Sequence, residues 1–260
     1  MPVDATTLTP PPATIARERV ELAAAYRLIA HFGMDDSIFT HISARAPADE
    51  GDHAFLINPY GQRFEEVTAS GLVAVDLDGR VLNDKGGAGI NKAGFTIHSA
   101  IHAARPDIAC VIHTHTLAGV TVASLDEGLM PLNQWSAPFF NRVAYHGYEG
   151  IALNLEERER LVADLGQHKV MILRNHGLLT CGRSVGEAFR LMMDLERACK
   201  AQVAILSTGA RPLLLPDELA EFTAEQEDAW VAAHAAAGKP DSEWAAYQRL
   251  CRRVSPGFDA

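Results

Sequence analysis

A single α/β domain with a helical tail is the fold class that this 260-residue sequence predicts, and three observations carry it. Hydrophobic residues make up 48% of the chain, which is ample material for one buried core. Short β-branched runs recur between segments with helical spacing of apolar residues. Beyond Pro216 the sequence turns Ala-rich and charge-flanked, a composition suited to two further helical segments with Pro240 as the break between them. The expected organisation is therefore a flexible arm over residues 1–13, a domain over 14–210, and a helical extension over 211–260 packed on that domain.

The elements follow in order. Pro2 and Pro10 to Pro12 mark the arm, after which Leu22, Tyr26 and Ile29 form the apolar stripe of a helix ending at Gly33. Residues 38–45 alternate, so Ile38, Thr40 and Ile42 share one strand face while Phe39, His41 and Ser43 share the other. A second strand over 54–58 stops at the turn Asn58-Pro59-Tyr60-Gly61, and a third over 73–77 turns at Asp78-Gly79. A Gly-rich loop over 86–89 leads to an amphipathic helix over 94–104. The apolar run 108–116 reads as a central strand, followed by a short helix, a loop through Pro131 and a strand over 142–146. Then come a surface helix over 156–166 and a buried strand over 170–173, which Asn175-His176-Gly177 interrupts before it resumes over 178–181. Ser184 as N-cap, with Glu187 completing a capping box, opens a long helix to about Ser207.

Composition excludes several function classes. A formal net charge of −10 argues against a broad electrostatic footprint for nucleic acid or an anionic membrane. Apolar stretches fall short of the roughly 20 residues that a spanning helix needs, and the first twelve residues lack a basic segment followed by an apolar run. A cytoplasmic location is expected. Cys110, Cys181, Cys199 and Cys251 form no CxxC pair and read as reduced thiols. Small molecules or proteins are the expected partners.

The chemistry concentrates in histidines. His113 and His115 stand at i and i+2, so on an extended strand both rings leave one face and can chelate one ion. A catalytic site with an open coordination position needs a third ligand, and His176, in its loop, is the best candidate. By spacing alone, two hydrogen-bonded histidines at a strand end are as well supported as a chelating pair, and His176 taken by itself reads more readily as a loop residue than as a ligand.

What joins these residues is an ordered set of motifs. Thr40-His41-Ile42-Ser43-Ala44-Arg45, Ile57-Asn58-Pro59-Tyr60-Gly61, Asn91-Lys92-Ala93-Gly94-Phe95-Thr96-Ile97-His98, Ala104-Arg105-Pro106-Asp107, Val111-Ile112-His113-Thr114-His115 and Arg174-Asn175-His176-Gly177-Leu178 together resemble the class II aldolase/adducin family over about residues 15–210. The resemblance implies three α/β/α layers around a mostly antiparallel central sheet, and a cyclic homotetramer with sites near subunit interfaces. It also implies one divalent metal ion per chain, held by His113, His115 and His176. Zinc is the ion expected, with manganese and iron left open.

Departures from the aldolase pattern shape the functional expectation. Where sugar-phosphate aldolases carry two serines and an acid/base glutamate, this chain has Lys92, Ala93 and Gly94. His41 replaces the usual asparagine and Asn58 the usual threonine, which argues against a phosphorylated substrate. Lys92 and His41 can instead hold an anion, and a carboxylate is the natural choice. His41, Asn58, Gly61, Lys92, Gly94 and Trp135 are thus the candidate substrate-binding residues, with Trp135 as an apolar wall or an interface residue. His98, Tyr145 and His146 are the candidate proton carriers.

The expected function is a divalent-metal-dependent carbon–carbon lyase, of decarboxylase or aldolase type, acting on a small non-phosphorylated oxo- or hydroxy-acid. A missing base with a retained metal suits decarboxylation, which removes no proton from carbon. Two alternatives stand beside it. One is a non-catalytic adducin-like binding protein, against which the sequence shows no long basic tail of the kind that serves adducin's partners in actin-type binding. The other is an iron-dependent oxygenase on the same fold.

Overall fold

The computed structural model describes residues 15–150, 156–238 and 241–260. The arm expected at 1–13 and the break expected at Pro240 lie outside the described residues.

The central element is an eight-stranded sheet. Its strands are β1 (His41–Arg45), β2 (Phe55–Ile57), β3 (Val73–Val75), β4 (Val81–Asn83), β5 (Cys110–Thr114), β6 (Val143–His146), β7 (Val170–Leu173) and β8 (Gly177–Gly182). They lie in the order β4-β3-β2-β1-β5-β8-β7-β6. Every pairing is antiparallel except that of β6 with β7. The helices are α1 (Arg17–His31), α2 (Lys92–Ala104), α3 (Leu117–Ala123), α4 (Glu157–Leu165), α5 (Val185–Ser207), α6 (Asp217–Ala236) and α7 (Ser242–Val254).

Strand alternation divides the core into two layers around the sheet. Ile42, Ala44, Cys110, Ile112, Val170, Ile172 and Leu178 point to one face, where they pack with Leu22 and Tyr26 of α1, Val122 of α3, Phe189 and Met192 of α5, and Trp244 of α7. Val111, Met171, Leu173, Leu179 and Cys181 point to the other, against Ile97 and Ile101 of α2 and Leu161 and Leu165 of α4. The α/β/α arrangement with a mostly antiparallel sheet is the one expected from the motifs.

Several local expectations need correction. The first strand begins at His41 rather than at residue 38, because Ser37 takes a left-handed φ of 51° and the chain turns through Phe39 before it extends. β4 went unforeseen, since Val81 and Leu82 are exposed on an edge strand and carry no alternation signal. The segment around His176 does not interrupt one strand. It is the tight turn of an antiparallel hairpin, in which Leu173 faces Gly177 across the ladder. Asn175 makes the reversal possible with φ 56°. At α5, Ser184 caps the amide of Glu187 as expected, but the Glu187 carboxylate accepts from the Arg183 amide, one residue earlier than a capping box requires.

Tyr26 ties the first helix to the sheet beside the site. Its buried hydroxyl accepts from the Ile42 amide at 2.9 Å and the Asn58 amide at 3.0 Å, and donates to the Ile42 carbonyl. Burial pushes its ionisation far up. The four cysteines are all buried and free. Among the described residues no helix is long and apolar enough to cross a membrane.

Candidate metal centre

Register and turn geometry bring the three histidines together. β5 carries His113 one residue before its C-terminal end, on the face turned to α2, paired with Leu179 of β8 and His41 of β1. His115 lies just past the strand end. The β7–β8 turn delivers His176 opposite, and Gly177 is what lets it approach. A Cβ there would stand 2.4 Å from the Thr114 carbonyl oxygen. The Nε2 atoms of His113 and His115 are 2.8 Å apart, and those of His115 and His176 are 3.0 Å apart.

The outer nitrogens decide what this convergence means. His113 Nδ1 donates to the Leu178 carbonyl at 2.9 Å, and His115 Nδ1 donates to the Asp36 carboxylate at 2.9 Å. Both rings therefore carry their proton on Nδ1 and turn Nε2 lone pairs toward each other. Lone pairs at that distance repel unless a proton or a cation lies among them. Nitrogens about 2.0–2.1 Å from a tetrahedral ion stand about 3.3 Å apart, so these two close pairs need part by only a few tenths of an ångström, and all three ligand atoms already lie within 4.8 Å of one another. The arrangement fits a divalent ion, with Asp36 as the carboxylate that orients a ligating imidazole. Burial holds His113 well below its ordinary titration range, and burial with the neighbouring histidines lowers His176 to about 4. Both are neutral at pH 7, as ligands must be.

A second set of histidines lies behind the first. His41 is buried and stacked on His113, with ring centroids 5.4 Å apart and planes at 27°. Its Nδ1 is 3.3 Å from His98 Nε2. Ser43 Oγ is 2.6 Å from His98 Nδ1 and 2.8 Å from His102 Nε2, and the His102 ring stacks on Phe55. Gly94 explains itself here. A Cβ on residue 94 would fall 2.3 Å from His41 Cδ2, so the His41 ring occupies the space a side chain would need. Gly94→Ala is expected to cost about 1–3 kcal/mol by overpacking and to displace His41. Urea unfolding of the variant, with an unchanged midpoint as the contrary result, checks this.

Burial, before any neighbouring charge, lowers both His98 and His102 to about 3. In the unfolded chain each titrates near 6.5, so between about 3 and 6.5 the unfolded state binds protons that the folded state refuses. Their neutral burial is free of penalty above about pH 6.5. Below it, stability falls by about 1.4 kcal/mol per pH unit for each ring. The urea midpoint of metal-free protein should be level above pH 7 and decline from about 6.5, before carboxylates begin to titrate. A midpoint unchanged down to pH 5 would contradict this.

The remaining candidates are placed unevenly. His146, on the α4 face, donates from Nδ1 to Asp164 at 2.7 Å, while its buried Nε2 lies in a small pocket also lined by His176, 3.6 Å from Glu157. Tyr145 alternates to the opposite face, where its hydroxyl accepts from the Leu129 amide and Arg174 stacks on its ring at 4.3 Å. It does not join the histidines. Asn58 is buried, and its Oδ1 lies 2.8 Å from the Tyr26 hydroxyl, a structural employment. Gly61 takes φ 88° in the exposed turn after β2, and Lys92 is exposed in the first turn of α2. Trp135 lines a separate cleft of about 640 Å³ beneath α6, where Arg142 and Arg190 are ion-paired with Asp228 and Glu227. The cations of that cleft are already paired, and none of the three converging rings lines it. Asp36, Ser43 and His102 were missed in the sequence. His98 and His102 at i and i+4, with Ser43 on the His41 face, were a legible signal. Nothing local marked Asp36.

Fold, motif order and the converging imidazoles together define the class: the chain belongs to the Class II Aldolase and Adducin N-terminal domain family, whose family model matches residues 20–203. It is 58% identical over 203 residues to a protein of Caulobacter vibrioides whose name places it among aldolase class 2 proteins, an overlap of 78% of each chain. An aldolase II superfamily protein from Pseudomonas syringae superposes with a TM-score of 0.84 at 48% identity, over 96% of this chain and 97% of that one. The L-fuculose 1-phosphate aldolase of Glaciozyma antarctica superposes with a TM-score of 0.80 at 29% identity, over 100% and 97% of the two chains. Rat alpha-adducin is 46% identical over 197 residues, which are 75% of this chain and 26% of that protein.

Proposed function

We propose that the protein is a divalent-metal-dependent carbon–carbon lyase acting on a small, non-phosphorylated oxo- or hydroxy-acid, with His113, His115 and His176 holding the metal. The observation that carries this reading is the convergence of three Nε2 atoms, two of them on rings whose Nδ1 protons are already committed to Leu178 and Asp36. A bound divalent ion supplies Lewis-acid polarisation of a substrate oxygen. Zinc is the expected ion, since three imidazoles with an open position suit it. His41 and Lys92 frame the subsite for the acid's polar groups, and Gly94 at the start of α2 makes room for the His41 ring. His98 supports His41 rather than a ligand, so His98→Ala is expected to weaken activity and leave most metal in place. The protein is expected to act as a homotetramer in the cytoplasm, with the C-terminal helices 211–260 belonging to the same domain.

Screening small oxo- and hydroxy-acids separately for carbon dioxide release and for aldehyde release tests the reaction type. Carbon dioxide without aldehyde supports a decarboxylase, and aldehyde without carbon dioxide an aldolase. Release of neither from metal-loaded protein across the class counts against the lyase. The likeness to alpha-adducin favours a second reading, a non-catalytic binding module on the same fold. Protein that retains no metal would favour it.

A further inference from the structure

α6 and α7 lie beyond residue 203, where the match to the family domain ends, so the family's shared fold does not account for them. α6 rests on the turn Ala137–Phe139, and only Ala220 and Ala224 among its 20 residues are buried. The large apolar side chains stay outside instead: Leu219 is 49% exposed, Phe222 55% and Trp230 50%. With 3.6 residues per turn these three fall within about 80° of arc, a single stripe beside the buried alanines. An isolated exposed leucine is ordinary, but a stripe of this size on one helix marks an interaction surface.

Charge narrows what can cover it. α6 carries six carboxylates and neither lysine nor arginine. Three are used within the chain, since Glu221 and Asp228 pair with Arg142, and Glu227 with Arg190. Asp217, Glu218 and Glu225 are exposed and have no ion-pair partner among the described residues. Glu218 and Glu225, two turns apart, border the apolar stripe on one side. α7, packed on α1 and α5, ends in the opposite character. Its Arg249, Arg252 and Arg253 are exposed and likewise unpaired among the described residues, with the half-exposed Val254 beside them.

A surface of aromatic rings bordered by carboxylates suits arginine, whose guanidinium stacks on a ring and forks onto a carboxylate. Two α6 helices laid together would set like charges against each other. Three free carboxylates on α6 match three free guanidiniums on α7. We propose that the stripe of Leu219, Phe222 and Trp230, with Glu218 and Glu225, docks on the face of α7 that carries Arg249 and Arg253 in a second copy of this chain. Each copy offers both patches, so the contact is head-to-tail and builds a ring when its rotation closes. It gives the homotetramer expected above a surface, and rests on that reading only for the number of copies in the ring.

Sedimentation velocity of the full chain over a range of concentrations tests the contact by exchanging exposed charges. Glu218→Arg with Glu225→Arg should weaken association by about 10-fold or more, and so should Arg249→Glu with Arg253→Glu. An equimolar mixture of the two reversed chains should associate again, because each then offers the charge that the other's patch requires. Phe222→Ala with Trp230→Ala should weaken association without any change of charge, and metal content should be unchanged in every variant. Association that persists in both reversed chains overturns the interface and leaves the tetramer standing on some other surface. A mixture that stays dissociated also overturns it, and an unaltered chain that is monomeric at every concentration removes interface and tetramer together.

Discussion

His176→Ala is expected to lower the affinity for zinc by more than about 100-fold while leaving the fold intact. Loss of a carboxylate that orients a ligating histidine ordinarily costs about 10–100-fold, and loss of a ligand costs more. His176 is half-buried at the tip of the β7–β8 hairpin, and its ring packs against other histidines rather than the core, so its removal opens no apolar cavity. Asp36→Ala, which removes only the acceptor for His115 Nδ1, should fall between it and the unaltered protein. Zinc titration of the three metal-free proteins should give that order. Equal affinities would sink the assignment of ligands.

Tyr26→Phe is expected to destabilise the protein by about 2–5 kcal/mol although it removes a single oxygen. That oxygen satisfies the buried amides of Ile42 and Asn58, and an unsatisfied buried donor costs about 1–3 kcal/mol. No methylene is lost, so cavity formation cannot account for an effect of this size. The urea midpoint should drop with the slope unchanged. A loss below about 1 kcal/mol would contradict the account of Tyr26 as the tie between α1 and the site-bearing strands. Because Ile42 adjoins His41, the variant should also perturb the histidine chain.

Much of this was legible in the sequence where a pattern is local. His113 and His115 declare themselves by strand period, and the turn chemistry of Asn175-His176-Gly177 places His176 in a loop. The order of six short motifs gave the family and, through it, the layered sheet. Long-range pairing is where local reading stops. Nothing in residues 170–182 alone distinguishes one strand with an interruption from a hairpin, because both bury the same apolar residues. Gly94 is the instructive case. As a letter it reads as a lost carboxylate, whereas in space it is the condition for His41 to lie against His113. Gly94 and His41 are therefore one structural feature, visible only once β1 is seen to lie beside α2. Tyr145 and His146 show the converse. They are consecutive in β6, and alternation sends one to the α5 face and the other into the pocket shared with His176.

The central claim is that His113, His115 and His176 hold a catalytic metal. Elemental analysis of the untagged protein, purified without chelator, tests it most directly. One divalent ion per chain, lost in His113→Ala and retained in His98→Ala, is the result predicted. Metal well below one ion per chain, or equal retention in both variants, would contradict it.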